Sequence, residues 1–481
     1  MGGFREEEVL IKPSADPRAP DPDPLGEGLG ESREGSNGAA GDRLTVEQWL
    51  ETRPIGALQW LVLVASSAIM LVDGFDLQAL ALAIPALSRD WGVAPERLSW
   101  ALSISLVGMG AGAAIFGMAG DRYGRKLLIW TSLLTVATSC GATAFATTLP
   151  QAAVLRLVTG LGIGAANINA LALTTDYAPP RRRFLMMMLM GCNVAVGAAL
   201  AGLVAPSLIA VWGWAGIFVA GAALAGAMAL IVLAAMPESL SHATRHWDGG
   251  RLARLTRRIE PAFDPQRLLP PKKAGARRFA IVELLAPGLR ARTLTIWVLY
   301  ILGSFTLYLL ISWLPILLIR AGWTEAAALR GSVTIQLGGI LGSIVAAVFI
   351  DRGHLAAALI AGYALAAAGV LLLLAMPPSV LLWSVLIFLI GAGVAGTQLI
   401  LIGAAAALYP SDLRASSAGT ATFVARIGAI AAPLVGGLAL AARVDPATII
   451  GWLALPMLVQ TGLLIATRHS FAMDASHRRS R

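Results

Sequence analysis

The chain has 481 residues, of which 57% are hydrophobic and only 14% are charged, and its mean hydropathy is +0.72. An ordinary soluble domain is about 45–50% apolar and about 25% charged, so this composition excludes one and indicates a bilayer protein. The formal net charge of +9 is distributed unevenly along the chain.

The first predicted element is an acidic tail over residues 1–45. Residues 1–54 carry 6 Lys or Arg and 12 Asp or Glu, together with many Pro and Gly. This stretch lacks the apolar segment of a signal peptide, and we predict that the tail is disordered. The two cysteines, Cys140 and Cys192, lie in apolar runs and offer neither a disulfide framework nor a metal-ligand spacing.

Twelve apolar windows follow the tail, each long enough to cross a bilayer as a helix of about 20 residues. The predicted spans lie near 57–86, 97–120, 127–147, 150–174, 184–208, 212–235, 294–318, 327–350, 355–375, 379–404, 415–440 and 447–467. We therefore predict an all-α membrane protein with one six-helix bundle over 46–236 and a second over 294–468. A cytoplasmic central loop over 237–293 joins the bundles, and a basic tail occupies 469–481.

The distribution of Lys and Arg predicts the orientation of these spans. Of the 37 Lys and Arg residues, 30 fall in the connectors and tails on one side of the predicted spans. The other side holds five, which are Arg89, Arg97, Arg320, Arg330 and Arg443. Because basic connectors stay in the cytoplasm, both termini are expected on the cytoplasmic side of the membrane. The expected location is the cell membrane, that is, an inner or plasma membrane. Topology explains the basic central loop better than nucleic-acid binding, which we do not expect.

Four formal charges lie inside the predicted spans, and they are Asp73, Asp76, Arg156 and Arg426. A charge at the bilayer centre costs about 2.5–3.5 kcal/mol on insertion scales, so it marks a functional site. Asp73 and Asp76 share one side of a helix and are candidates for proton coupling. Arg156 reaches a depth similar to that of Asp73, so the two can pair. Arg426 has no carboxylate nearby in sequence, and a substrate carboxylate could supply one.

The two halves of the chain carry related motifs. Gly117–Lys126 follows the second span and Asp351–His354 follows the eighth, while Tyr177–Arg181 follows the fourth and Tyr409–Arg414 the tenth. Two six-span halves of equal topology indicate a parallel repeat, whose substrate site is expected near the midplane between the halves.

These motifs resemble a known family. The Gly117–Lys126 run resembles the signature loop of the major facilitator superfamily, and Asp73-Gly74-Phe75-Asp76 looks like a pattern of its aromatic-acid/proton symporter branch. Arg156–Asn169, Pro237–Ser239, Leu310–Pro315 and Tyr409–Gly437 are similar to the same branch. The likeness runs from about Val46 to Arg468. It implies the major facilitator fold and a conformational gate formed by Gly117, Asp121, Arg122, Gly124, Arg125, Asp351 and Arg352.

Two departures from the branch concern the second half. Aliphatic residues and Gly403 follow Gln398 where the branch often has an Asn, and the second-half signature is truncated after Gly353. Both departures bear on the substrate more than on the fold.

We predict a secondary transporter, not an enzyme, that imports an organic acid of the benzoate or hydroxybenzoate type together with protons. Asp73 or Asp76 takes the proton and Arg426 binds the carboxylate. Further candidates for substrate binding are Arg156, Gln398, Phe305 and Trp313. The expected partners are the acid, protons and the lipid bilayer, and no cofactor or metal is expected. The alternatives are an efflux antiporter of the same fold and an importer of a non-aromatic acid.

Overall fold

Twelve long helices form the framework of the protein. The computed structural model describes residues 44–245, 249–260, 263–264, 267–269, 280–352, 354–377, 379–409 and 413–468. Residues 1–43 of the tail predicted over 1–45, the predicted tail over 469–481, and much of the central loop lie outside these residues. The long helices are α1 (Ala57–Trp91), α2 (Ser99–Tyr123), α3 (Arg125–Thr143), α4 (Leu149–Tyr177), α5 (Arg183–Trp212), α6 (Ala215–Ala235), α7 (Arg290–Arg320), α8 (Glu325–Asp351), α9 (Leu355–Ala375), α10 (Val380–Ala407), α11 (Arg414–Ala441) and α12 (Ala454–Thr467).

Short helices connect or flank these elements in the described part of the chain. They are Val46–Glu51, Pro95–Leu98, Pro180–Arg182, Leu240–Arg245, Gly249–Ile259, Ala280–Leu284 and Pro446–Trp452. The last of these makes the twelfth span two helices rather than the predicted one. Asp445 caps it by accepting hydrogen bonds from the amides of Ala447 and Thr448, at the place where Pro446 begins the helix.

Eleven of the helical segments in the described residues are long and apolar enough to cross a membrane, which confirms the predicted fold class. The remaining framework helix, α3, has 19 residues and is rich in Ser and Thr. Its hydroxyls donate to carbonyls of their own helix, as Thr131 does to Leu127 and Thr135 to Thr131. The polar groups of α3 are thereby satisfied within the helix and are compatible with an apolar environment.

Helix packing repeats between the two halves. In the first half α1 packs on α5, α2 on α4, and α3 on both α4 and α6. The second half repeats this as α7 on α11, α8 on α10, and α9 on both α10 and α12. The halves meet through α2 with α11 and α5 with α8, two contacts that the same repeat exchanges. The internal repeat read from the motifs is therefore present in the packing.

Glycines permit the closest helix approaches. A Cβ on Gly112 would lie 2.1 Å from the Leu161 carbonyl oxygen, and one on Gly164 would lie 2.0 Å from that of Met109. At these glycines the backbones of α2 and α4 pack directly against each other, as small residues at helix interfaces allow.

The two faces of the molecule differ in charge. The face at which α1 begins also holds the end of α4, because the Gln59 side chain donates to the Tyr177 carbonyl at 2.9 Å. This face carries the arginines and the lysine of Arg122–Lys126 and Arg181–Arg183. We call it the basic face, and the other the opposite face.

Ala429 of the second half joins the first-half cluster nearer the basic face, but most of the described apolar packing between the halves lies at the opposite face. A single buried cluster there contains residues of both halves, including Leu82, Phe218 and Leu317. Toward the basic face the described residues form two clusters, one centred on the first half around Trp49 and one within the second half around Tyr300. The cleft between the halves therefore opens toward the basic face.

Contacts between α2 and α11 follow the same gradient. Near the opposite face the Ser103 hydroxyl donates to the Ile430 carbonyl at 3.0 Å. Closer to the basic face the Phe423 side chain of α11 is 73% exposed. The hydrogen bond between the two helices therefore lies on the opposite-face side of Phe423.

Two ion pairs of opposite polarity join the halves at the opposite face. Arg89 at the end of α1 contacts Glu325 at the start of α8 at 2.9 Å. Arg320 at the end of α7 contacts Glu96, in the connection before α2, also at 2.9 Å. Each half contributes one cation and one carboxylate. Exposed pairs of this kind contribute about 0.2–1 kcal/mol each. They therefore stabilise the closed opposite face only weakly, and it can open.

Reversal of one charge in this closure should favour opening at the opposite face. Arg89→Glu places two carboxylates together, whereas the double variant Arg89→Glu/Glu325→Arg restores an ion pair. Ser105 of α2 lines a small cavity between the halves, together with Leu80 and Ser312. We expect Ser105→Cys, in a Cys140→Ser/Cys192→Ser background, to react faster with an impermeant thiol reagent after Arg89→Glu. The rate should return to the parental value in the double variant.

Arg330→Glu is the matched control, since this exposed arginine near the start of α8 bonds through Nε to the Ala326 carbonyl of its own helix. Equal labelling rates in Arg89→Glu and Arg330→Glu would show that the crossed pairs do not hold the face closed.

Candidate functional site

The Asp73–Asp76 segment of α1 is built to place two carboxylates inside the first half. A Cβ on Gly74 would lie 1.8 Å from the Val194 carbonyl oxygen, so only glycine lets α5 approach here. Phe75 is buried and packs near Gly221 of α6. The Asp73 and Asp76 side chains are 7% and 6% exposed. They lie on the side of α1 that faces away from the Gly74 and Phe75 contacts.

Asp76 forms a buried ion pair with Arg156 of α4. The Arg156 Nη1 atom lies 2.7 Å from the Asp76 Oδ1 atom, and the two side chains are 1% and 6% exposed. The guanidinium also donates to Thr159 at 2.9 Å and lies over the Phe218 ring, 5.1 Å from its centroid. One carboxylate therefore fixes α4 and α6 around α1, and the pair is compensated inside the protein.

The partner of Arg156 differs from the one that its depth suggested. The pair forms with Asp76 rather than Asp73, which lies three residues earlier on α1. That spacing is about 4.5 Å along a helix, and α1 runs toward the opposite face, where α4 begins. Asp76 is thus the carboxylate at the same depth as Arg156. The predicted depths were counted from span ends that are uncertain by several residues, so they could not distinguish Asp73 from Asp76, one helical turn apart.

Asp73 has no such fixed cation. Its Oδ2 atom accepts a hydrogen bond of 2.6 Å from the Asn167 amide of α4. Its Oδ1 atom is buried and has no hydrogen-bond partner among the described residues. The cation whose charge acts on it is Arg426 of α11, in the other half.

Arg426 is half-buried at the interface of the two halves. Its Nη1 atom lies 2.8 Å from the Met109 sulfur of α2, a weak acceptor, and its charge acts on the Tyr308 side chain of α7. In the described part of the chain no carboxylate lies within 4.0 Å of it. A permanent cation with soft or neutral partners is suited to receive a carboxylate from outside the protein.

A small cavity adjoins this site on its opposite-face side. It encloses about 20 Å³, enough for a single water molecule. Its lining is drawn from both halves and consists of Asp76, Leu77, Leu80, Leu102, Ser105, Leu106, Arg156, Tyr308 and Ser312. The site is therefore nearly closed on that side.

The other predicted substrate residues occupy different surroundings. Gln398 of α10 donates to the Ser304 hydroxyl of α7 at 3.0 Å, and Phe305 is half-buried against the core near the close α7–α11 contact. Trp313 is fully buried, and its indole N–H donates to the Pro433 carbonyl at 3.1 Å. The structure thus places Trp313 in the packing of α7 on α11, away from Arg426.

The predicted gate forms a relay of charges within the first half. Arg125 of α3 contacts Asp176 of α4 at 2.7 Å and Asp121 of α2 at 3.1 Å. The hydroxyls of Ser239 and Ser241, which follow α6, donate to the same Asp176 carboxylate. Four helices of one half are held together by these contacts at the basic face.

Gly124 and Glu238 shape the turn between α2 and α3. Gly124 has a φ of +99°, which favours glycine, and an added Cβ would lie 2.7 Å from the Glu238 carboxylate. That carboxylate accepts hydrogen bonds from the Arg125 and Lys126 amides at 2.9 and 3.2 Å. It therefore satisfies the first N–H groups of α3.

The remaining gate candidates have simpler placements. The Arg122 guanidinium lies over the Tyr123 ring, 5.3 Å from its centroid, and Gly117 faces Ile168 of α4. In the second half Arg352 is exposed, and the Asp351 side chain lies outside the described residues.

Sequence reasoning missed three polar partners in this region. Asn167 bonds to Asp73 and Asp176 to Arg125, while Tyr308 is a side chain on which the charge of Arg426 acts. Asn167 was detectable as an amide within the apolar run of α4. Asp176 lies at the end of that run, where a carboxylate is expected to be exposed to solvent. Tyr308 could not be distinguished from the other aromatic residues of the spans.

Two pseudo-equivalent six-helix bundles that meet at a polar midplane site define a secondary transporter. Residues 67–433 match the family model of the Major Facilitator Superfamily, and the chain belongs to that superfamily. It is accordingly a multi-pass transport protein of the membrane and not an enzyme.

Two characterised relatives show the branch. The gallate transporter of Pseudomonas putida is 30% identical over 439 residues, which cover 89% of this chain and 96% of the relative. The 4-hydroxybenzoate transporter PcaK of Pseudomonas aeruginosa is 30% identical over 429 residues, covering 88% and 96%. The resemblance to the aromatic-acid branch is thereby confirmed.

A solved structure supports the fold. The crystal structure of a D-xylose–proton symporter superposes with a TM-score of 0.66 at 14% sequence identity. The match covers 84% of this chain and 97% of that chain.

The buried ion pair predicts a difference between the two carboxylates of α1. Asp76→Asn leaves Arg156 buried without its counter-charge, a loss of about 3–5 kcal/mol. Asp73→Asn removes a charge that has only an amide donor, and its carbonyl oxygen can still accept from Asn167. We expect a much lower melting temperature for purified Asp76→Asn than for Asp73→Asn, which should stay near the parent.

A second variant separates loss of charge balance from loss of shape. Asp76→Asn/Arg156→Gln removes both charges and should recover part of the lost stability. If Asp73→Asn and Asp76→Asn melt at the same temperature, the ion pair does not carry the stability assigned to it.

Proposed function

We propose that this protein imports an aromatic carboxylate of the benzoate or hydroxybenzoate type together with protons, by alternating access. The observation that carries the proposal is Arg426, a half-buried guanidinium at the interface of the halves that bonds to the Met109 thioether and to no carboxylate among the described residues. An anion that replaces the Met109 sulfur would gain two parallel charge-assisted hydrogen bonds.

The surroundings of Arg426 favour a ring attached to that carboxylate. Phe305 and Tyr308 lie on α7 beside α11, and both are partly buried aromatic side chains. Gln398 supplies an amide through its bond to Ser304, which lies one helical turn from Tyr308 on α7. The relatives named for gallate and 4-hydroxybenzoate support an acid of this chemical class.

Asp73 is the better candidate for the coupled proton. Protonation of Asp76 would leave the Arg156 guanidinium buried without a counter-charge. Protonation of Asp73 would remove a buried charge whose bonded partner is an amide. It would also leave Arg426 free to bind the substrate. Asp76 then serves as the structural anion of the first half.

The cycle follows from the closure at the opposite face. In the conformation described, the cleft opens toward the basic face, which the Lys and Arg distribution assigns to the cytoplasm. Both termini would then be cytoplasmic. Import would require the crossed ion pairs to break, the acid and proton to enter from outside, and the halves to close again behind them.

Uptake into right-side-out membrane vesicles with an acidic exterior tests the proposal. Benzoate and 4-hydroxybenzoate should accumulate and compete with each other, while benzamide should not compete because it leaves Arg426 desolvated without an anion. Arg426→Lys should reduce uptake by about tenfold or more, since an ammonium cannot reproduce the bidentate fork. Arg330→Lys, at an exposed position on α8, is the matched control.

The alternatives predict other outcomes in the same vesicles. Proton-driven extrusion of preloaded acid would identify an efflux antiporter. Competition by short aliphatic acids but not by aromatic ones would identify a carrier of non-aromatic acids. Equal competition by benzoate and benzamide would remove the carboxylate clamp from the mechanism.

A further inference from the structure

A broad cavity lies at the opposite face, away from the central site, and we call it the opposite-face cavity. It encloses about 640 Å³. Binding sites for small molecules commonly enclose about 300–1,000 Å³. Both halves form its wall, because Ala94, Glu96 and Arg97 precede α2, whereas Arg320 ends α7 and the remaining lining residues lie within 440–446 at the end of α11.

Arginines dominate the charge of this cavity. Three of the five Lys and Arg residues predicted on this side of the membrane line it, and they are Arg97, Arg320 and Arg443. The two carboxylates of the lining are already engaged, since Glu96 contacts Arg320 at 2.9 Å and Asp445 caps the short helix that follows. Three guanidinium groups against two carboxylates leave one positive charge in excess.

Arg97 and Arg443 are the cations that remain available in the cavity. Both side chains are exposed. In the described part of the chain, neither guanidinium has a carboxylate within 4.0 Å or a side-chain hydrogen bond. One belongs to the first half and the other to the second, so an anion in the cavity can contact both halves.

The backbone at Arg443 singles out its side chain. Its φ is +57°, in the left-handed region that favours glycine. The amide of Val444 donates to the Ala439 carbonyl and that of Arg443 to the Leu440 carbonyl, both at 3.0 Å, which is the glycine-favouring Schellman end of a helix. An unfavourable backbone conformation is retained where the side chain has a function. Here it keeps a cation in the wall of the cavity.

The rest of the wall is apolar. Leu440 is buried and Val444 and Pro446 are half-buried, and all three line the cavity. A guanidinium binds a carboxylate through two parallel hydrogen bonds. A monocarboxylate with an apolar body therefore matches both the single excess positive charge and the apolar part of the lining.

We propose that the opposite-face cavity is a second binding site for such a monocarboxylate, held by Arg97 of the first half and Arg443 of the second. The choice of an aromatic acid as the ligand rests on the proposed function. Because the bound acid contacts both halves, it binds the closed form of the opposite face better than the open form. Its binding thus shifts the population toward the closed form.

Labelling of a cysteine in the cavity wall tests this site. Ala94→Cys, in a Cys140→Ser/Cys192→Ser background, should react more slowly with a thiol reagent when benzoate is added to the purified protein. At ten times the dissociation constant the unoccupied fraction, and with it the labelling rate, should fall about tenfold. Arg443→Gly, which suits the φ of this position, should abolish the protection, and so should Arg97→Gln. Arg330→Gln is the matched control, an exposed arginine of the same face outside the cavity.

Two comparisons separate this cavity from the central site and from a general anion site. Protection by benzoate should persist in Arg426→Lys, which weakens the central site, while benzamide and inorganic phosphate should protect far less than benzoate. Protection that is lost in Arg426→Lys, or that survives in both Arg443→Gly and Arg97→Gln, would overturn the inference. Equal protection by phosphate and benzoate would overturn the assignment to a monocarboxylate.

Uptake into vesicles supplies a second readout. If the bound acid holds the opposite face closed, benzoate uptake should pass through a maximum and decline at high external concentration. The decline should be absent in Arg443→Gly and present in Arg330→Gln. Uptake without any decline in the parent would overturn the bridging of the halves. Transport without protection of Ala94→Cys would overturn the site and leave the proposed function standing, whereas protection without transport would leave the site standing and the proposed function refuted.

Discussion

A guanidinium inside an apolar span must find an anion, because unlike a lysine it cannot shed its charge. The interface of this transporter depends on how that requirement is met at two arginines. Arg156 receives Asp76 as a permanent, fully buried partner at 2.7 Å. Arg426 bonds to the Met109 thioether, and we propose that its anion is the substrate carboxylate. The first arrangement stabilises the fold, and the second leaves a binding requirement that a substrate can meet.

The rest of the architecture keeps these two arginines apart and allows the central site to open toward either the basic face or the opposite face. Close glycine contacts bring α1 against α5 and α2 against α4, so the first half can present Asp73 at its surface without opening its own ion pair. Tyr308 lines the small cavity on the opposite-face side of the site. The crossed Arg89–Glu325 and Arg320–Glu96 pairs close the opposite face itself. Since exposed pairs contribute little each, occupancy of the central site can decide which conformation is stable.

Hydropathy was sufficient to predict the helical membrane fold, and the repeated motifs were sufficient to predict its internal repeat. The same reasoning found the charges of the interface because each is conspicuous in an apolar run. It did not find the partner of Arg156, since one helical turn separates Asp73 from Asp76 and span ends are uncertain by more than that. Trp313 looked like a ring-binding residue, yet its N–H bonds to Pro433 in the α7–α11 contact, which no local pattern reveals.

The central claim is that the substrate carboxylate takes Arg426 while Asp73 takes a proton. Isothermal titration of the purified protein with benzoate, in two buffers of different ionisation enthalpy and at a pH where benzoate is fully ionised, measures this directly. The account predicts uptake of a proton with each benzoate bound, abolished in Asp73→Asn while benzoate still binds. Binding without proton uptake in the parent protein, or unchanged uptake in Asp73→Asn, would contradict it.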